Sequence, residues 1–424
     1  MRVLLLGGGG REHALTWKIN QDPLLSKLFV APGNAGTARL AENVPLNPMN
    51  FEAVARFIER ESIDMLVVGP EEPLVEGIRD FMEANCKRTE LLIVGPGRAG
   101  AALEGSKRFA KDFMARHGIP TAAHLAVTRD NFRAGVEFLR RQPPPRVLKA
   151  DGLAAGKGVL IIDDLEEAIR ELQLILDGKF GKAGERVVIE EFLSGIELSV
   201  FALTDGRDYK ILGSAKDYKR VGEGDSGLNT GGMGAVSPVP FADDEFNRKV
   251  EQRVIIPTIR GLQADGIPYK GFIFFGLMNV GGEPRVIEYN ARLGDPETEV
   301  VIPRLSVDLL PLLVAAERGT LGQANHALDA GYRAAVMLTA GGYPGPYDKG
   351  HPIEGLDRVR DSLVFHAGAA DRDGLVVTAG GRVLAVSARG DTLREALQRA
   401  YADVEKIQFK DAYYRRDIGR DLLA

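Results

Sequence analysis

Residues 3–14 read VLLLGGGGREHA, four apolar residues followed by four glycines and the charged pair Arg11 and Glu12 beside His13. A short apolar run stopped by glycine is the pattern of a strand buried on both faces of a parallel sheet. It recurs at residues 28–31, 65–68 and 91–94, each time followed by a Gly- or Pro-rich loop: APGNAGT at 31–37, GPEEPL at 69–74 and GPGRAG at 95–100. Helix-period segments fill the gaps, so an open α/β sheet is expected at the start of the chain. Ligands bind such sheets at the carboxyl ends of the strands, which makes the four loops a candidate binding rim. Backbone N–H groups where residues 7–10 enter a helix suit a phosphate. A tight turn would explain two of the four glycines. The dinucleotide fingerprint is not met, because Glu12 takes the third glycine position and Ala31, Pro32 and Gly33 end the second run without an acid.

A chain of 424 residues exceeds what one core serves, so two to four domains are expected. An apolar content of 45% and a charged content of 27% are those of an ordinary globular protein. A formal net charge of −5 gives no support for binding nucleic acid or a membrane surface. The single cysteine, Cys86, cannot close an intramolecular disulfide and fits a reducing compartment. No apolar run reaches membrane-spanning length, and the first is too short for a signal peptide. The expectation is a cytoplasmic protein, with nothing demanding more than a monomer.

Further along, Phe109, Phe113 and Met114 stripe a helix predicted over 106–117, leaving Lys107 and Lys111 together on its other side. A second helix is expected at 131–141. After three prolines at 143–145, strands are expected at 146–150, 159–162, 186–192 and 197–203 with a helix at 165–177, forming a small α+β lobe. A mixed region runs from 209 to about 319. The remainder carries strands at 333–339, 375–378 and 382–387 and a helix near 392–406.

Residues 286–299, VIEYNARLGDPETE, carry the chemistry. Strand periodicity places Glu288, Asn290 and Arg292 on one face, a costly group to bury unless it serves a ligand. Glu and Asn offer hard oxygen ligands for Mg²⁺, and Arg offers a fork for phosphate. Asp295 and Pro296 also read as N-cap and N1 of a helix over 298–305. GLAAGKG at 152–158 is one residue short of a Walker loop and lacks its Ser/Thr. It is either a glycine hairpin lying over nucleotide phosphates or a plain turn. Lys149 ends an apolar strand, where lysine seldom stands without a partner. Surface acids are the ordinary explanation for Glu190, Glu191 and Glu197. The polar, glycine-rich stretch 216–238 reads as a long loop that is either functional or disordered, and its mixed charges and Met233 favour function.

Ten segments taken together resemble one family. They are GGGGREHA (7–14), APGNAGT (31–37), VGPEEPLVEGI (68–78), LEGSKRFAKDF (103–113), LKADGLAAGKGV (148–159), VIEEFLSGIELS (188–199), NTGGMGAVSP (229–238), EYNARLGDPE (288–297), AGGYPG (340–345) and YRRDIG (414–419). The chain is similar throughout its length to the phosphoribosylamine–glycine ligases, ATP-grasp enzymes of purine biosynthesis. The resemblance implies an α/β and α+β multidomain fold. A Rossmann-like N-terminal domain with an open parallel sheet would span 1–105, and ATP-grasp central lobes 106–325 with a mobile small lobe at about 122–193. A small mixed α+β C-terminal domain would span 326–424.

It further implies ATP-dependent ligation of glycine to 5-phosphoribosylamine through glycyl phosphate, with Mg²⁺ or Mn²⁺. Glu288 and Asn290 would hold the metal, and Arg292, Lys157 and Asp295 would be catalytic. Lys111, Lys149, Gly156, Lys157 and Gly158 would meet phosphate or base. Glu190, Glu191, Phe192 and Leu193 would flank the base, and Glu197 would take the ribose hydroxyls. Gly9, Arg11, Asn34, Gly36, Thr37, Glu71 and Glu72 would hold phosphoribosylamine. Asp217, Lys219, Asn229, Thr230 and Glu297 would form the glycine and amine end. The family commonly has Gln, His, Pro, Phe and Gln where this chain has Lys216, Tyr218, Leu228, Leu293 and Glu299. Two other readings stay open: an ATP-grasp carboxylase using bicarbonate, and a nonenzymatic nucleotide or sugar-phosphate sensor.

Overall fold

A computed structural model describes residues 1–152 and 158–423. The N-terminal unit is a five-stranded, wholly parallel sheet in the order Glu42–Asn43, Lys27–Pro32, Arg2–Gly7, Met65–Val68, Leu92–Val94. Its three inner strands are apolar through residues 3–6, 28–31 and 65–68 because both faces are covered there. Val3, Leu5 and Val67 face one core shared with the helix Leu309–Arg318. Leu4, Leu6 and Leu66 face a second core, with Val54, Phe57 and Ile58 of the helix Phe51–Arg60. From the first strand the chain builds outward to Lys27–Pro32 and Glu42–Asn43 on one side and then to Met65–Val68 and Leu92–Val94 on the other, so the glycine loop at its carboxyl end opens at the switch point of the sheet.

The small lobe is a four-stranded antiparallel sheet in the order His124–Val127, Val187–Glu190, Arg146–Ala150, Val159–Ile162. Helices Phe132–Arg141 and Leu165–Leu174 complete its core. This corrects one expectation. The fourth strand is His124–Val127, whereas Ile196–Thr204 leaves the lobe and joins the large sheet. Both runs are apolar enough for either place. Pairing of Ile196–Thr204 along the whole length of Gly271–Val280 decides the matter.

The third sheet has eight antiparallel strands: Glu283–Asn290, Gly271–Val280, Ile196–Thr204, Tyr209–Asp217, Gly234–Ser237, Tyr332–Thr339, Arg382–Gly390 and Ser362–His366. It runs unbroken from the central region into the C-terminal one, where the helix Leu393–Val404 packs on it. The stretch 216–238 is structured: a strand end, the hairpin Arg220–Gly222 with Ser226–Asn229, and the strand Gly234–Ser237. Among the described residues no helix is long and apolar enough to cross a membrane.

Candidate active site

The strand Glu283–Asn290 lies at the edge of the large sheet, with Glu288 opposite Gly276 and Asn290 opposite Phe274. A register shift beside Gly276 turns the strand end toward a cavity of about 460 Å³. Glu288, Asn290 and Arg292 all line that cavity, together with Ile287 and Tyr289 of the same strand. The strand nevertheless stops at Asn290, because Glu104 Oε2 accepts the Ala291 N–H at 2.7 Å in place of a neighbouring strand. The other oxygen of Glu104 pairs with Arg292 Nη2 at 2.9 Å. Arg292 Nε lies 3.5 Å from Glu71 Oε2 and has no hydrogen-bond partner among the described residues.

On the small-lobe side, Glu190 sits between Lys111 (2.9 Å) and Lys149 (3.1 Å). Lys111 also donates to the Thr121 hydroxyl at 2.7 Å. Burial lowers the Lys111 amine to about 8 against the pull of Glu190. Burial pushes the Glu190 carboxyl up, but Lys149 and Lys111 outweigh it and hold the group below the usual carboxylate range. Glu288 behaves alike: burial opposes its charge, and Lys219, Lys149 and Lys107 keep it ionised. An ionised, buried carboxylate beside a carboxamide is what a hard cation needs.

The opposite end holds an excess of acids. Lys219 makes a close ion pair with Glu197, and Asp217 and Glu297 line the wall near it. Burial pushes the carboxyls of Asp217 and Glu297 up, and the charge of Asp217 helps carry Glu297 to about 8. Asp295 accepts the Arg11 N–H at 3.3 Å and pairs with Arg382 at 3.0 Å. Its expected role as helix N-cap is corrected. The helix is Thr298–Val301 with Glu297 at the cap position, since the Asp295 carboxylate is engaged by the two arginines. Glu299 is fully buried against Gly10 and Asp295. Neither of its oxygens has a hydrogen-bond partner among the described residues, and burial pushes it well up.

Of the residues singled out from the sequence, the cavity gathers Arg11, Glu71, Lys111, Lys149, Gly158, Glu190, Asp217, Lys219, Thr230, Glu288, Asn290, Arg292, Asp295 and Glu297. Gly156 and Lys157 lie outside the described residues. Several others stand back from the lining. Asn34 spends its side chain on Gly8 O, His366 O and the N–H groups of Gly36 and Thr37, and so ties the rim loops together. Gly36 packs on His13 and His366, and Thr37 bonds Asn43. Gly9 donates to Glu12 at 2.7 Å. Glu72 is exposed beside a separate cleft, Asn229 and Phe192 are exposed, and Leu193 is half-buried. Glu191 accepts the Ala123 N–H at 3.2 Å.

Three charged lining residues were missed as site residues. Lys107, one turn before Lys111, carried a signal in that spacing. Glu104 lay within the LEGSK segment. Arg382 gave none, since it arrives from a strand 87 residues beyond Asp295.

The chain matches the phosphoribosylglycinamide synthetase N domain over residues 1–104, its ATP-grasp (A) domain over 105–298 and its C domain over 333–421. It is 47% identical over 430 residues to the phosphoribosylamine–glycine ligase of Pseudomonas aeruginosa, covering 100% of this chain and 99% of the relative. The chain belongs to the phosphoribosylglycinamide synthetase family. The same ligase from Chlorobaculum tepidum is 47% identical, with 100% of each chain covered. The crystal structure of phosphoribosylamine–glycine ligase from Thermotoga maritima superposes with a TM-score of 0.85 at 37% identity, over 98% of this chain and 100% of that one. A biotin carboxylase from Campylobacter jejuni shares the fold alone, with a TM-score of 0.71 at 15% identity over 96% of this chain and 92% of that one.

Lys216 lies in the strand Tyr209–Asp217, and Tyr218 follows directly after it. Both point away from the cavity to Asp421, at 2.9 and 2.6 Å, while Asp217 and Lys219 line it.

Proposed function

We propose that this cavity joins glycine to 5-phosphoribosylamine at the expense of ATP, giving glycinamide ribonucleotide, ADP and phosphate. The observation that carries the reading is the arrangement at the strand end. Arg292, with Nε unpartnered, stands beside the oxygen donors Glu288 and Asn290 and faces Lys107 and Lys149 across the cavity. Phosphoryl transfer needs positive charge around the moving group more than it needs an acid or base.

In this reading the glycine carboxylate attacks the γ-phosphate and ADP departs. The ribosylamine nitrogen then attacks the acyl carbon of glycyl phosphate and phosphate departs. Arg292 neutralises the transferring group, and Lys107 lines the nucleotide side together with Lys111 and Lys149, the two that Glu190 orders. Asp217 and Glu297 receive the glycine and amine end, while Arg11, Glu71 and Asp295 border the ribosylamine. Asn34, Gly36 and Thr37 shape that rim from behind.

The donor set suits Mg²⁺ or Mn²⁺. Among the described residues no group of three or more His, Cys, Asp or Glu is placed to hold a metal alone. One carboxylate and one carboxamide completed by phosphate oxygens and water is a usual Mg²⁺ arrangement. When bound, the cation would offset charge on the ATP phosphates. A monomer is part of the proposal.

The test is ADP release with ATP, Mg²⁺, glycine and phosphoribosylamine. Release is expected only with all four present. ADP formed no faster than in single-omission controls sinks the ligase reading, and dependence on bicarbonate in place of glycine favours a carboxylase.

A further inference from the structure

Two of the family segments, AGGYPG and YRRDIG, have no part in the chemistry above, and both lie in the C-terminal region. In the fold they converge on residues 216–232, the stretch that brings Asp217, Lys219 and Thr230 to the cavity. Residues 223–229 of that stretch are exposed without a break, so apolar burial cannot hold them. Directional bonds from the tail do so instead.

Arg415 is the centre of these bonds. Its side chain is 1% exposed. Nε and Nη2 donate to the two oxygens of Asp417 at 2.8 and 2.7 Å, and Nη1 donates to Arg220 O at 3.0 Å and Asp225 Oδ1 at 2.7 Å. Asp417 accepts the Gly224 N–H at 2.8 Å, and Glu223 accepts the Arg416 N–H at 3.1 Å. Tyr413 donates to Val221 O at 2.9 Å. Asp421 takes the Tyr218 hydroxyl and the Lys216 amine, while the Arg415 guanidinium lies 5.3 Å from the Tyr218 ring. At the far end, Gly231 N–H donates to the Tyr343 hydroxyl at 3.1 Å. Because alternation sorts Lys216 and Tyr218 to the tail side, holding those two holds Asp217 and Lys219 toward the cavity.

We propose that Arg415 is a positioning residue. Acting from the C-terminal tail, it fixes residues 216–229 so that Asp217 and Lys219 face the substrate, and so sets affinity at that end of the site. This rests on the reading of that end as the glycine and amine end.

The test uses the full chain with Arg415→Lys, which keeps the charge but loses the fork, and the milder Tyr218→Phe, which removes one hydroxyl. Hydrogen exchange of amides 217–230 and KM for each substrate are measured. In Arg415→Lys those amides should exchange faster while other segments keep their protection. KM for glycine or phosphoribosylamine should rise at least about tenfold, the scale of one lost charge-assisted hydrogen bond, with KM for ATP unchanged. Tyr218→Phe should move both readouts the same way by less. Unchanged exchange at 217–230 in both variants overturns the anchoring. Faster exchange with unchanged KM values, or an equal loss for all substrates, overturns the positioning role. If the parent protein makes no product from glycine and phosphoribosylamine, the ligase reading falls, and the exchange result still decides the anchoring.

Discussion

Glu297→Gln should make the folded protein more stable, by an amount that grows with pH. Glu297 is 4% exposed, lies by Asp217, and is pushed up to about 8 by burial and that neighbouring charge. In an unfolded chain a glutamate titrates near 4.3. The folded protein therefore keeps a proton that the unfolded chain has released. For an acid raised in this way, stability is greatest below the unfolded value and is lost as pH climbs toward the folded one. Each pH unit in that window is worth about 1.4 kcal/mol. Between pH 5 and pH 7.5 the parent should lose about 3 kcal/mol through this group alone. Glutamine has no proton to lose, so the variant should escape that loss. Urea unfolding of ligand-free parent and variant, followed by circular dichroism at pH 5, 6, 7 and 7.5, reads the difference directly. The two stability curves should diverge steadily with pH. Parallel curves would refute the reasoning, because they would mean that Glu297 ionises in the fold as it does in the unfolded chain.

Arg292→Gln should lower kcat by roughly 10² to 10³, the usual loss of one preorganised charge donor. Glu104→Gln should lower kcat by acting through Arg292, so adding it to Arg292→Gln should cost nothing further. Additive losses in steady-state kinetics would remove Glu104 from that role. Glu288→Ala should abolish Mg²⁺-dependent turnover with circular dichroism unchanged, and near-normal activity would remove the metal assignment. His13 and His366 are lowered by burial to about 3 and about 4, and His13 Nδ1 accepts the His366 N–H at 2.7 Å. Both should stay neutral in the fold at pH 5, and the stability they contribute should fall as pH drops from about 6.5 toward those values. Histidine ring NMR should then find two of the six histidines silent above pH 5, and six ordinary titrations would contradict it.

Local pattern made much of this molecule legible. Apolar runs ended by glycine announced the parallel sheet, since strands covered on both faces must be apolar throughout. The alternation of Glu288, Asn290 and Arg292 announced a polar strand end that lines the cavity, because a polar row in an apolar strand needs a partner. Two local readings were displaced by distant groups. Asp295 looks like a helix cap until Arg11 and Arg382 claim its carboxylate. The strand of Glu288 looks two residues longer until Glu104 takes the Ala291 N–H.

The sequence by itself determined the apolar strands of the parallel sheet, the order of the family segments and the donors at the strand end, because these follow from neighbours within a few residues. Only the tertiary structure decided that Ile196–Thr204 belongs to the large sheet, that Arg382 reaches the cavity, and that the tail around Arg415 clasps the 216–229 segment. Such pairings join residues far apart in the chain, and no periodicity records which distant carbonyl or carboxylate a buried arginine will find.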